Sequence, residues 1–323
     1  MNTCDPIKIY PQTSRQGFAR LAFLISFFVA LSPAFAQELE PRAYSNIPIG
    51  INFIAVGYAY TEGGVVFDPS VPLDNAHIKI HGALFAFARS IKIGNMSGKI
   101  DMVLPYASLS GSADFQGDRV FREVSGIGDS RFRMSVNFIG APPLALSEFK
   151  EYKQKFIVGG SLQVQVPMSQ YDPTRLVNIG TNRVAIRPEL GISKTVKRLF
   201  LELAVGVAFY STNNDFYNGK IRSQKPISSI QGHVIYTTKV GIWLAVDGNY
   251  YWGGRTTVDG VEGNDLQENS RLGMTLALPV NIHHSLKINY STGVSTRTGS
   301  DFDLLAIAWQ YRWSKSMTNK KQG

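Results

Sequence analysis

Between residues 304 and 313 a large apolar side chain falls on every second position: Leu305, Ile307, Trp309, Tyr311 and Trp313 alternate with Ala306, Ala308, Gln310 and Arg312. A β-strand sends successive side chains to opposite faces, so this stretch builds one greasy, aromatic face and one small or polar face. The same period recurs along the chain. Phe132, Met134, Val136 and Phe138 alternate with Arg131, Arg133, Ser135 and Asn137, and Leu162, Val164 and Val166 with Ser161, Gln163 and Gln165. Leu201, Leu203, Val205, Val207 and Phe209 oppose Glu202, Ala204, Gly206 and Ala208, and segments 183–192, 240–249, 271–280 and 286–290 repeat the pattern, with Trp243 out of step. Helical periodicity fits none of these segments as well. A soluble sandwich would turn the greasy face to a second sheet; an outer-membrane barrel turns it to lipid.

Less regular candidates at 48–61, 76–93, 99–108 and 227–238 bring the expected total to twelve strands. Each is near the roughly 9–11 residues that a tilted membrane strand needs. In the first, Ile49, Ile51 and Phe53 hand over to Ile54, Val56, Tyr58 and Tyr60, which predicts a bulge near Ala55. In the second, His77, Lys79 and His81 share parity with Phe85 and Phe87, which predicts a bulge or register change. Pro105, Pro167, Pro188 and Pro279 should each mark a strand end or a bulge, because proline donates nothing to a ladder. The connections alternate in length. Segments 62–75, 109–128, 172–182, 211–225, 253–270 and 293–300 read as long polar outer loops. Segments 94–98, 195–198, 238–239 and 281–284 read as tight periplasmic turns, and 140–155 is longer, with a short amphipathic helix expected over 147–155. Tyr58, Tyr60, Tyr106, Tyr171, Phe209, Tyr210, Tyr250, Tyr251, Trp252 and Tyr290 belong at the outer end, and Phe138, Phe156, Tyr236, Tyr311 and Trp313 at the other. Such placement matches two interfacial girdles. The expected fold is all-β: an antiparallel transmembrane β-barrel of about 12 strands, with long outer loops and short periplasmic turns. It is closed, because lipid tolerates no open sheet edge.

Residues 1–36 read as a secretory signal peptide: Arg15 and Arg20, an apolar run over 21–31, then Ser32-Pro33-Ala34-Phe35-Ala36. The barrel is expected over 37–313, followed by a short polar tail at 314–323. Cys4, the single cysteine, falls within the leader, so the mature chain has no disulfide framework. Removing Lys8, Arg15, Arg20 and Asp5 with the leader leaves 30 basic and 23 acidic residues, a net +7. Export argues against nucleic acid as the partner of that charge. The basic residues are scattered at alternate strand positions, as in a solvated interior or beside anionic headgroups. No later stretch is apolar for long enough to be a transmembrane helix.

Several runs go beyond a generic barrel pattern: Glu40-Pro41-Arg42-Ala43-Tyr44-Ser45-Asn46, Val136-Asn137-Phe138-Ile139-Gly140-Ala141-Pro142, Pro167-Met168-Ser169-Gln170-Tyr171-Asp172-Pro173, Asn178-Ile179-Gly180-Thr181-Asn182-Arg183, Pro188-Glu189-Leu190-Gly191 and Tyr250-Tyr251-Trp252-Gly253-Gly254. Together they resemble the bacterial outer-membrane transporters catalogued under the meta-pathway of phenol degradation, over nearly the whole mature chain. At Asn182-Arg183-Val184-Ala185 the chain departs from the resemblance, which leads one to expect a tryptophan after the arginine. The resemblance implies a barrel and associates some members with catabolism of aromatic compounds.

Catalysis would need a nucleophile, a base and an orienting group at one point. His233 shares its face with Gln231 and Ser229, which makes a lipid-modifying barrel enzyme conceivable, but no acidic or amide partner is evident at matching depth. His77 and His81 lie roughly 13 Å apart along one strand face, too far to share a metal. His283-His284 falls in a turn, and neither the Asn213-Asn214-Asp215 cluster nor Asp259, Glu262 and Asp265 repeats a calcium-loop spacing. No catalytic residue, metal or cofactor is therefore assigned. Arg131, Arg133, Gln163, Gln165, Arg183, Arg187, Glu189, Glu202, Gln231, His233, Asp247, Asn249, Arg271, Lys287, Asn289 and Arg312 share the polar parity. Of these, Arg131, Arg133, Arg183, Arg187, Glu189, Asp247 and Arg271 are the candidates for a constriction. The expected function is passive passage of small hydrophobic or aromatic compounds through a basic-lined, loop-gated lumen. The expected partners are outer-membrane lipid and a small-molecule solute. A structural or surface-binding barrel is the alternative.

Overall fold

The computed structural model describes residues 39–66, 73–115 and 118–314, so the leader, Cys4 and most of the polar tail lie outside the described residues. In chain order the strands are β1 (Asn52–Val66), β2 (Leu73–Ile93), β3 (Met96–Phe115), β4 (Asp118–Ile127), β5 (Ser130–Ile139), β6 (Phe156–Val166), β7 (Ala185–Val196), β8 (Leu199–Tyr210), β9 (Asn213–Phe216), β10 (Lys220–Gln224), β11 (Ile227–Thr237), β12 (Trp243–Gly253), β13 (Thr256–Val258), β14 (Val261–Glu262), β15 (Gln267–Pro279), β16 (His284–Ser295) and β17 (Gly299–Trp313). All except β9, β10, β13 and β14 belong to one antiparallel sheet that returns on itself. Its seam is the pairing of β1 with β17, from Asn52↔Trp313 to Val66↔Gly299. β4 and β5 are two halves of one wall strand, so the closed barrel has twelve staves.

The split follows from a proline. β3 pairs with β5 from Ser97↔Asn137 to Val103↔Arg131, and with β4 from Tyr106↔Ile127 outward. Pro105 lies between, with no amide to donate, and its carbonyl instead accepts the Gly128 N–H at 2.8 Å. Pro279 closes β15, and Pro167 follows the last residue of β6. Pro188 behaves differently from expectation. It falls where the β7–β8 ladder skips from Ile186↔Phe209 to Glu189↔Gly206, without any shift of register.

Both irregularities expected near the N-terminus are absent. β1 runs in unbroken register with β2 and β17 through Ala55. Ile51, Phe53 and Ala55 simply point inward, where they form an apolar cluster with Leu84, Ala86, Ala88 and Val103. β2 keeps register with β3 from His77 to Ile93, its one bulge lying earlier, between Asp74 and His77. His77, Lys79 and His81 share the outward face of Phe85 because β2 is 21 residues long and rises beyond the apolar band. The segment read as a 109–128 loop is likewise a hairpin continuing β3 into β4. The loops at 211–225 and 253–270 contribute a separate four-stranded sheet, ordered β14-β13-β10-β9. The amphipathic helix expected over 147–155 is reduced to one 3-10 turn, Glu148–Lys150, with no buried residue.

Polarity is inverted relative to a soluble protein. On β7, Leu190 is 59% exposed and its neighbour Glu189 only 8%. Leu201, Leu203 and Val205 of β8 are exposed while Glu202 and Ala204 are buried. Water would penalise that outward apolar surface, and lipid does not. Tyr58, Tyr106, Phe209, Tyr250 and Trp252 lie exposed at the long-loop rim. At the other rim Trp309, Tyr311 and Trp313 stack in succession, with centroids 6.3 and 5.6 Å apart. Tyr251 departs from the girdle reading: it is fully buried and faces inward. Tyr210 also turns in, packing against Ala185 and Ala208.

Candidate functional site

Alternation brings one residue of every pair into the lumen, and the lumen is already occupied. Leu39, Glu40, Arg42, Tyr44, Ser45 and Asn46 precede the first strand, yet all are buried. Glu40 pairs with Arg133 of β5, and its backbone N–H donates to Gln231 of β11 at 3.3 Å. The Arg42 N–H donates to Glu202 of β8 at 2.6 Å, and its guanidinium reaches Thr237 and lies 4.3 Å over the Phe200 ring and 5.3 Å from that of Trp243. Tyr44 donates to Glu189 of β7 at 2.9 Å. Partners on so many separate staves place this segment across the bore. It works as a plug.

The wall is shaped to receive it. A Cβ on Gly191 would come within 2.1 Å of the Tyr44 ring, and one on Gly159 within 2.6 Å, so two missing side chains make the slot for that ring. Trp243, out of step in the sequence, faces inward, where Arg42 and Lys287 approach its ring. Around the plug the charges are paired: Arg133 with Glu40 and Asp101, Lys99 with Asp101 at 3.8 Å, and Arg187 with Glu189 at 2.7 Å. Gln231 adds a bond to Glu189 at 3.0 Å, and Ser193 one to Glu202. Partial desolvation strengthens each of these bonds relative to water.

Of the constriction candidates, Arg133 and Glu189 bond the plug directly, and Arg187 does so through Glu189. Asp247 lies on the same inner wall, bridging His233 at 2.7 Å and Thr275 at 2.9 Å. That contact corrects the expectation that His233 lacks an acidic partner: the β11–β12 register sets His233 directly across from Asp247. Both side chains point into the lumen and are buried, away from the lipid face that an acyl ester would occupy. Ser229, on the same face, bonds Arg187 and the Gly206 carbonyl.

Arg131, Arg183 and Arg271 sit farther toward the long-loop rim. Arg131 lines a 120 Å³ cavity with Ala59, Ile80, Pro105, Leu109 and Phe302. Arg271 lies 4.4 Å over Phe302 and donates to its carbonyl at 2.8 Å. Arg183 lies 4.3 Å over Tyr210. The seven candidates thus divide between an inner group on the plug's wall and an outer group nearer the long loops, of which Arg131 lines the apolar-walled cavity and Arg271 packs on its Phe302. The plug went unrecognised in the sequence, because residues 39–46 carry no strand period and their partners lie far along the chain. Among the described residues no cluster of His, Cys, Asp or Glu is arranged to hold a metal.

Among solved structures, the COG4313 outer membrane channel from Pseudomonas putida F1 superposes with a TM-score of 0.73 at 17% identity, covering 85% of this chain and 100% of that one. The β domain of the Bordetella autotransporter BrkA gives 0.48 at 12% identity, covering 82% and 99%. The NanC porin gives 0.44 at 11% identity, covering 80% and 98%. No curated protein matches. The first likeness shows the fold, a closed outer-membrane barrel. The family model described as "Putative MetA-pathway of phenol degradation" matches residues 61–311, and the chain belongs to that family.

Proposed function

We propose that this protein is exported by its N-terminal leader to the outer membrane and passes small hydrophobic or aromatic compounds through its lumen. The observation that carries this reading is the division of the bore. An apolar-walled vestibule opens below the long loops, and a polar plug of the chain's own residues closes the path beneath it. A barrel serving only as a scaffold has no use for an ordered cavity above such a plug. Twelve staves make a bore between barrels packed solid by side chains and wide aqueous porins. A resident segment then sets what passes. The family's association with phenol degradation and the P. putida neighbour, itself a channel, support the reading.

Liposome swelling with the purified barrel tests it. The intact protein is expected to admit small neutral aromatics such as benzyl alcohol slowly. A variant lacking residues 39–46 should admit them several-fold faster, together with polar solutes. Equal permeability of the two proteins, or a sealed barrel in both, would overturn the proposal.

A further inference from the structure

Two arginines at the long-loop end are treated unlike those around the plug. Arg183 lies two residues before β7; Arg222 belongs to β10, in the separate outer sheet. Neither forms an ion pair among the described residues. Arg183 gives Nη2 to Gln224 Oε1 at 2.5 Å, while its Nη1 has no acceptor. Its guanidinium lies against the Tyr210 face. The Arg222 side chain makes no hydrogen bond among the described residues and sits 5.1 Å over Phe216.

Local bonds hold the two side chains in one cluster. Gln224, the partner of Arg183, lies two residues from Arg222 on β10 and therefore on the same face. Asn213 is the register partner of Arg222 on β9, and it accepts from Asn182, the neighbour of Arg183, at 3.0 Å. Asn213 also donates to the Tyr171 hydroxyl oxygen at 3.1 Å, which leaves the phenolic proton to be given elsewhere.

The carboxylates nearby are spent on neutral donors. Asp129 accepts from the Thr181 N–H at 2.8 Å, the Thr181 hydroxyl at 2.9 Å, Ser169 at 2.7 Å and Gln165 at 2.9 Å. Asp265 accepts from the Thr256 N–H at 2.8 Å and its hydroxyl at 2.6 Å. Burial and mutual repulsion push the Arg183 guanidinium down to about 10, and burial lowers Arg222 as well. Asp129 favours the charge on Arg183 and Asp265 that on Arg222 through space, but neither carboxylate forms an ion pair with them. Two partly desolvated cations without a directly bonded counter-charge are costly unless an anion joins them.

We propose that Arg183 and Arg222, with the Tyr171 hydroxyl, form a binding site for the carboxylate of a small amphipathic solute. The body of that solute would rest on the adjoining vestibule wall. The segment carrying Arg183 lines that cavity through Asn178, Ile179 and Thr181, which sets the head site beside it. Arg222, backed by Phe216, keeps its N–H edge free, the geometry that grips a carboxylate by two bonds, and Arg183 adds a second positive charge beside it through its unbonded Nη1. This inference rests on the transport reading and names a solute class for it.

Intrinsic fluorescence titration of the detergent-solubilised full mature chain provides the test, with benzoate, benzyl alcohol and inorganic phosphate as probes. Benzoate is expected to bind more tightly than benzyl alcohol. Arg222→Gln and Arg183→Gln should each weaken benzoate roughly tenfold or more, the loss typical of a charged hydrogen bond, and leave benzyl alcohol unchanged. Heat-modifiable gel mobility reports whether each variant keeps its barrel. If Arg183→Gln fails to fold, Arg222→Gln, outside the wall, still carries the result. Equal binding of benzoate and benzyl alcohol, indifference of benzoate to both substitutions, or its displacement by phosphate at equal concentration would overturn the assignment. Swelling assays read permeation separately. Benzoate binding that persists in an impermeable barrel would sink the channel reading and spare this site.

Discussion

At the scale of single residues, the period of two discloses which side chains enter the bore but not which of them meet. Arg187, Glu189, Gln231 and His233 are legible as lumen residues because alternation is a local property. That Glu189 receives the hydroxyl of Tyr44, 145 residues away, needs the register and the path of the first residues, and neither is written in local spacing. His233 and Asp247 are separated by only 14 positions, yet they meet only because one tight turn sets a single register for β11 and β12. Gly191 offers a direct probe. Its φ is ordinary for a strand, so Gly191→Val should preserve the barrel while driving a methyl into the Tyr44 ring. The expected outcome is a rise in single-channel conductance, and Tyr44→Ala should make that substitution almost silent, since contacting residues are not additive. Equal increments in both backgrounds would show that the glycine serves the wall rather than the plug.

At the scale of elements, the membrane-crossing staves were readable and the parts outside the bilayer were not. Within the bilayer one face must be apolar, so β8 and β17 spell out their orientation. Beyond it both faces meet water, the alternation loses its cause, and the β3–β4 hairpin extension reads as a polar loop. The sheet formed by β9, β10, β13 and β14 went unread for the same reason. It is tied by an exposed carboxylate: Glu262 accepts from Arg255 at 2.8 Å and from Lys225 at 2.6 Å. Hydrogen bonds from Arg255 and then Lys225 hold Glu262 below the usual carboxylate range. A lowered carboxyl contributes its stabilisation above the ordinary value and loses it as pH falls through the lowered one. Amide protection factors in β10 and β13 should therefore drop modestly from neutral to strongly acidic buffer, and Glu262→Gln should abolish most of that difference. A change of the same size in the variant would assign the effect to another group.

At the scale of the whole molecule, the inverted polarity implies that lipid is the solvent of the outer face. Leu203, 44% exposed at mid-strand on β8, is expected to tolerate methionine. Leu203→Arg should cost about 2–4 kcal/mol near the bilayer midplane. Reversible unfolding from liposomes measures it; indifference to the arginine would mean that this face does not meet hydrocarbon. The plug has a further consequence, because it is covalently continuous with β1 through Ile49, Gly50 and Ile51. A stretch of ten residues reaches at most about 35 Å when drawn out, so a displaced plug stays within reach of the mouth it left. Its local concentration is then set by that leash and not by the number of molecules in the cell. On the proposed passage through the lumen, reclosing would consequently be a first-order event, needing no second protein to arrive and no energy source to drive it.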